Sequence, residues 1–163
     1  MAEAILPVTT QAEIGLVIND HPKIAADMGA AYCHLGQEDF FDTGRRHVSE
    51  LAFSGIREGI GLSSHEPDQA RRAMAAGAAY LGVGPVYSTL TKPDAKPATL
   101  DYVRWAAEHV SIPWFAIGGI NLHNLDAVIE AGARRICVVS AILTAPDIVQ
   151  ACQTFKKRLL FLE

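Results

Sequence analysis

Several things are scarce in this chain. Among 163 residues, 14 are Lys or Arg and 18 are Asp or Glu, so the net charge is −4. That balance excludes a nucleic-acid binder working through a broad basic face, and no nucleic-acid partner is expected. Any anion site must be built locally. Only three cysteines occur, Cys33, Cys137 and Cys152, with no CxxC spacing. This excludes a disulfide frame or a cysteine zinc site and points to buried thiols in a reducing cytoplasm. No apolar run approaches the roughly 18 residues of a membrane span, and the N-terminus lacks the basic and apolar regions of a signal peptide. A cytoplasmic protein with no membrane partner is the expectation. The Gly-x-Gly-x-x-Gly turn of a dinucleotide fold is also missing.

What is present is a regular alternation. Half the residues are hydrophobic, enough for one domain with its own core over residues 1–163. Apolar β-type runs occupy Ile14–Ile18, Ala31–Leu35, Ile56–Leu62, Ala79–Val86, Trp114–Ile120 and Arg135–Val139. Helical patterns lie between them at about His21–Met28, Gly44–Phe53, Pro67–Ala76, Leu100–His109, Leu122–Glu130 and Pro146–Leu159. Such alternation predicts an α/β fold with a parallel sheet. The runs are apolar throughout, as strands covered on both faces are. Residues 1–13 hold a helix-like scrap, Met1–Leu6, which Pro7 is expected to break.

A degenerate repeat sharpens the fold class. Met28-Gly-Ala-Ala-Tyr32, Ala76-Gly-Ala-Ala-Tyr80 and Ala131-Gly-Ala-Arg-Arg135 each close a helix and open a strand. Gly suits the left-handed position that ends a helix, and the small Ala lets helix and strand approach closely. A barrel of βα units explains three copies better than a doubly wound sheet. Six units are legible, where a full barrel has eight and usually runs to about 200 residues or more.

In such a barrel the chemistry lies at the C-terminal strand ends. Asp20 and Asp39 follow adjacent strands and offer hard oxygen ligands suited to Mg²⁺; helix capping is the plainer role open to Asp20. Gly118-Gly119 and Ser140 follow the last two strands, where backbone N–H groups and a helix start can receive phosphate, or where glycines simply make turns. The fourth strand ends in a loop that crowds Thr89, Thr91 and Lys92 together. Lys92 could neutralise a leaving anion, although most loop lysines are merely exposed. His65 follows the third strand and is open to acid–base work or to a capping role. The other histidines show no ligand spacing and read as structural or exposed.

These blocks resemble a known family. Ile18-Asn-Asp20, His34-Leu-Gly-Gln-Glu-Asp39, Gly61-Leu-Ser-Ser-His65, Gly82-Val-Gly-Pro-Val-Tyr87, Thr89-Leu-Thr-Lys-Pro-Asp94, Ala116-Ile-Gly-Gly-Ile120 and Val138-Val-Ser-Ala-Ile142 are similar, in order, to thiamin-phosphate synthase. The resemblance implies a TIM-type (βα) barrel that couples hydroxymethylpyrimidine diphosphate to a thiazole phosphate with loss of diphosphate. It implies Mg²⁺ on Asp20 and Asp39, with Asn19 and Lys92 on the diphosphate. Ser63 would lie in the diphosphate and pyrimidine pocket, and Lys92 and Ser63 would be the catalytic pair. Thr89 and Thr91 would bind the thiazole, and Gly119, Val139 and Ser140 its phosphate. The match begins in the family's second helix, so the barrel lacks the first two strands and the family's Gln-x-Arg-x-Lys pattern. Reduced activity is one expectation. The strand edges near Ile14–Ile18 and Arg135–Val139 are left open, and a homo-oligomer formed through them is another. A thiazole tautomerase using His65, or a phosphate-binding protein without turnover, are the alternatives.

Overall fold

The computed structural model describes residues 1–51, 54–88 and 97–160. The chain divides into two compact units, one of Met1–Ser64 with Asp68–Leu81 and one of His65–Pro67 with Gly82–Glu163.

The first unit begins with α1 (Ala2–Gln11), followed by β1 (Val17–Asn19), α2 (Pro22–Asp27), β2 (Tyr32–Leu35) and α3 (Gln37–Phe41). A 3-10 turn at Val48–Leu51, β3 (Gly59–Ser64), α4 (Pro67–Ala75) and the first half of β4 (Tyr80–Val83) follow. Its strands are hydrogen-bonded in chain order. β1 and β2 run parallel with Asn19 opposite His34, and β2 and β3 run parallel with His34 opposite Gly61. Ala25, Cys33, Phe40, Leu62, Ala70, Ala73 and Leu81 are fully buried. Each large apolar side chain among them contributes about 1.5–3 kcal/mol of burial.

The second unit takes the other half of β4 and continues with α5 (Thr99–His109), β5 (Trp114–Ile117), α6 (Leu125–Glu130), β6 (Ile136–Cys137), α7 (Ser140–Leu143) and α8 (Ile148–Leu160). The strand order is again that of the chain, and β5 and β6 are parallel. Val83, Val103, Ala106, Ala116, Leu125, Val128 and Ala133 are buried without remainder.

The repeat is a structural device. Gly29, Gly77 and Gly132 have φ of 60°, 81° and 103°. At each site the glycine N–H bonds three residues back (to Ala26, Met74 and Ile129) and the next alanine N–H bonds five back, to Ala25 at 2.9 Å, Ala73 at 3.1 Å and Val128 at 3.2 Å. This is the Schellman pair of bonds, which satisfies carbonyls that a helix end leaves orphaned.

Several expectations change. The helix expected over Gly44–Phe53 is replaced by α3 and the 3-10 turn. Gly44 takes φ 85°, and the Glu50 carboxylate turns back to accept the backbone N–H groups of Arg46 and His47 at 2.9 and 2.8 Å. Those two bonds also hold Glu50 below the ordinary carboxylate range. Ala52 and Phe53 lie outside the described residues. Second, α1 runs through Pro7 instead of ending there; a proline removes one helical bond but need not end the helix. Third, β1 starts three residues later than its apolar run and β3 also three. Fourth, β2 alternates, with Cys33 and Leu35 buried and Tyr32 and His34 only half-buried. One face of that strand carries polar side chains. Among the thiols only Cys33 is buried, while Cys137 and Cys152 are exposed. No helix among the described residues is long and apolar enough to cross a membrane.

Candidate active site

In the first unit the site grows from the ends of three neighbouring strands. β1 ends at Asn19, and Asp20 then takes φ 62°. A left-handed conformation is uncommon outside glycine and best tolerated by Asn and Asp. Two contacts hold it: Asn19 Nδ2 donates to Asp20 Oδ2 at 2.5 Å, and the Asp20 N–H donates to the His34 carbonyl at 2.9 Å. Both side chains are exposed. β2 ends at Leu35, and Gly36 caps α3, whose first turn carries Glu38 and Asp39. Acidic residues there complement the helix dipole. The Asp39 carboxylate folds back over Gly36, and a Cβ at that glycine would stand 2.7 Å from Asp39 Oδ2. Glycine here makes room for the carboxylate.

β3 ends in Ser63 and Ser64. The Ser63 hydroxyl lies 2.9 Å from His34 Nε2, and the His34 Nδ1 lies 3.1 Å from the Tyr80 hydroxyl. The Ser63 carbonyl accepts a bond from the Nε2 of Gln37, whose side chain is buried. Sequence reasoning did not single out Gln37, His34 or Tyr80 for the site. The alternation of β2 was the available signal, since it puts His34 on the face opposite Cys33. Beneath the site, burial first and the Asp20 carboxylate second push the Cys33 thiol up to about 11, against a smaller opposing pull from the His21 backbone N–H.

The second unit holds the other group of strand-end residues. Gly118 and Gly119 follow β5 with φ of 100° and 64°. A side chain at Gly118 would strike Pro85, and one at Gly119 would stand 2.8 Å from Tyr87 Cβ and 2.7 Å from the Ser88 carbonyl oxygen. The turn is packed against the loop after β4, where the Val86 and Tyr87 N–H groups donate to the carbonyls of Ile117 and Gly118 at 2.9 and 3.1 Å. Asn124 Nδ2 donates to the Gly119 carbonyl at 3.0 Å. Ser140 opens α7 next to Val139, and both are exposed. His65 Nδ1 bonds the Gly84 carbonyl. A carbonyl only accepts, so Nδ1 carries the hydrogen. Thr89, Thr91 and Lys92 lie outside the described residues.

Residues 1–142 match the family model for thiamine monophosphate synthase. The chain belongs to this family. It is 47% identical over 160 residues to the thiamine-phosphate synthase of Thermus thermophilus, covering 98% of this chain and 74% of that protein. It is 42% identical to the corresponding protein of Lawsonia intracellularis, covering 96% of this chain and 70% of the relative. Among solved structures it is similar to thiamine phosphate pyrophosphorylase from Pyrococcus furiosus, with a TM-score of 0.86 at 28% identity over 99% of this chain and 75% of that one. A 3-hexulose-6-phosphate synthase from Salmonella typhimurium shares the fold, with a TM-score of 0.68 at 17% identity.

Proposed function

We infer that this chain carries out the family's transferase reaction. It joins hydroxymethylpyrimidine diphosphate to a thiazole phosphate to give thiamin phosphate. The bond between the pyrimidine methylene carbon and the diphosphate oxygen breaks, and diphosphate leaves with the electron pair. The thiazole ring nitrogen then forms its bond to that carbon. Beyond the family match, the reading rests most on one observation: Asp20 is held in a left-handed conformation at the end of β1 and anchored to β2, the strand that leads into α3, whose first turn carries Asp39. Strain of this kind persists where surrounding structure imposes it, often at functional sites.

We assign Asp20 and Asp39 to Mg²⁺. Two exposed carboxylates, with no cluster of three or more His, Cys, Asp or Glu ligands among the described residues, suit a cation that completes its shell with water and phosphate oxygens. When bound, that ion neutralises charge on the departing diphosphate. Asn19 and Lys92 are assigned to the same diphosphate, and Ser63 to the pyrimidine pocket. Thr89 and Thr91 are assigned to the thiazole, and Gly119, Val139 and Ser140 to its phosphate. Lys92 acts as the charge partner of the leaving group, which is worth most where water is excluded. Lys92→Ala should therefore lower kcat by about 10²-fold in an assay of coupling, with thiazole phosphate binding retained in calorimetry. Unchanged coupling would remove Lys92 from the reaction.

The assembly is also part of this reading. Six parallel strands lie among the described residues, and the chain spans 74% of the T. thermophilus relative. In the first unit Ile14 and Val17 at the β1 edge are 63% and 42% exposed, and in the second unit Val139 beyond β6 is 50% exposed. We assign these edges to pairing with a second copy of the chain.

A further inference from the structure

We propose that His34 is a positioning residue, which sets the direction of the Ser63 hydroxyl and is itself held by Tyr80. The proposal rests on the reading that Ser63 lies in the pyrimidine pocket. Register places the three residues together. His34 stands opposite Gly61 across the β2–β3 ladder, and Ser63 lies two residues beyond Gly61, on the same face of β3. Gly61 has no side chain because the Tyr80 ring occupies that space; a Cβ there would collide with it. The Tyr80 ring lies against His34, with centroids 5.5 Å apart and planes 25° from parallel. Its hydroxyl reaches Nδ1 at 3.1 Å, and Nε2 reaches Ser63 Oγ at 2.9 Å.

Both ring nitrogens are thus engaged, and each partner is a hydroxyl that can donate or accept. The tautomer of His34 and the rotor of Ser63 are therefore set together. If Tyr80 donates to Nδ1, Nε2 carries the hydrogen and Ser63 Oγ accepts it, which leaves the serine hydrogen to point at substrate. The Ser63 backbone is fixed separately through Gln37, so the ring controls the hydroxyl alone. The His34 carbonyl meanwhile accepts the Asp20 N–H. One residue thereby joins the strand end bearing Asp20 to the serine two strands away. A network serving only to satisfy buried polar groups would hold the fold but would not act through Ser63.

The test is a double-mutant cycle on coupling. Ser63→Ala, His34→Gln and Tyr80→Phe are measured singly, and the latter two also in the Ser63→Ala background, with thermal melts for each. His34→Gln and the milder Tyr80→Phe are expected to lower kcat by about ten-fold and several-fold while KM for the thiazole phosphate stays within two-fold, since small displacements of a reacting group cost this much. In Ser63→Ala both effects should shrink below two-fold. A ring ¹⁵N NMR spectrum should show one dominant tautomer of His34 in the wild type and a mixture in Tyr80→Phe. Equal losses with and without Ser63, or wild-type kcat in both single variants while Ser63→Ala is impaired, would overturn the proposal and leave Ser63 in place. Wild-type coupling in Ser63→Ala, or no coupling by the unsubstituted chain, would instead overturn the reading beneath it.

Discussion

At Asp20 a charged side chain sits on a left-handed backbone with φ 62°. Asn tolerates that conformation at least as well as Asp, so Asp20→Asn separates folding from chemistry. Its stability should stay within about 0.5 kcal/mol of the parent, and Mg²⁺-dependent coupling should fall by about 10²-fold if the carboxylate is a metal ligand. Paired denaturation and activity measurements check both. Cys33 supplies a second prediction. Its folded value is about 11 against an ordinary 9.0, so the unfolded chain loses its thiol proton first as pH rises. The thiol's contribution is fully present below about pH 9 and is lost between about 9 and 11, at up to roughly 1.4 kcal/mol per pH unit. Stability measured across that window should fall less steeply in Cys33→Ala than in the parent. Wild-type Cys33 should also resist alkylation that modifies the exposed Cys137 and Cys152.

At the scale of elements, the three Schellman ends share one chemistry but differ in surroundings. A Cβ at Gly29 meets nothing within 4 Å, one at Gly77 would lie 2.6 Å from His47 Nε2, and one at Gly132 would lie 2.5 Å from Ala107 Cβ. Gly29→Ala should thus cost only the backbone penalty, about 1 kcal/mol. Gly77→Ala and Gly132→Ala should add the cost of displacing packed neighbours, for about 2–3 kcal/mol in all. Urea titrations of the three variants give the order directly. These ends were legible because the determinant is local: glycine at one position and a small residue at the next. The stretch from Gly44 was not legible in the same way. Its apolar residues fit a helix, but Glu50 spends its carboxylate on two backbone donors, and the Val48 N–H is taken by the Ala76 carbonyl at 2.9 Å. A bond to a partner 28 residues away leaves no trace in local periodicity.

For the molecule as a whole, the edge residues lead to a prediction about association. Light scattering of the parent should give a dimer that resists dilution, and Val17→Lys, which puts a charge on an exposed edge strand, should shift it to monomer. A parent that is monomeric at all concentrations would remove the second copy from the reading.

The alternation of strands and helices, apart from the stretch after β2, was legible in the amino-acid order, as were the glycines that end helices and the residues that follow each strand. All of these depend on neighbours within a few positions or on the simple periods of helix and strand. The family followed from the same blocks. What those residues touch came from packing between distant segments. That His34 reaches Ser63 and Tyr80, that Gln37 holds the Ser63 carbonyl, and that Gly61 is open so that a tyrosine ring can cross it all depend on strand register. Register is an agreement between distant segments, and no single segment carries it.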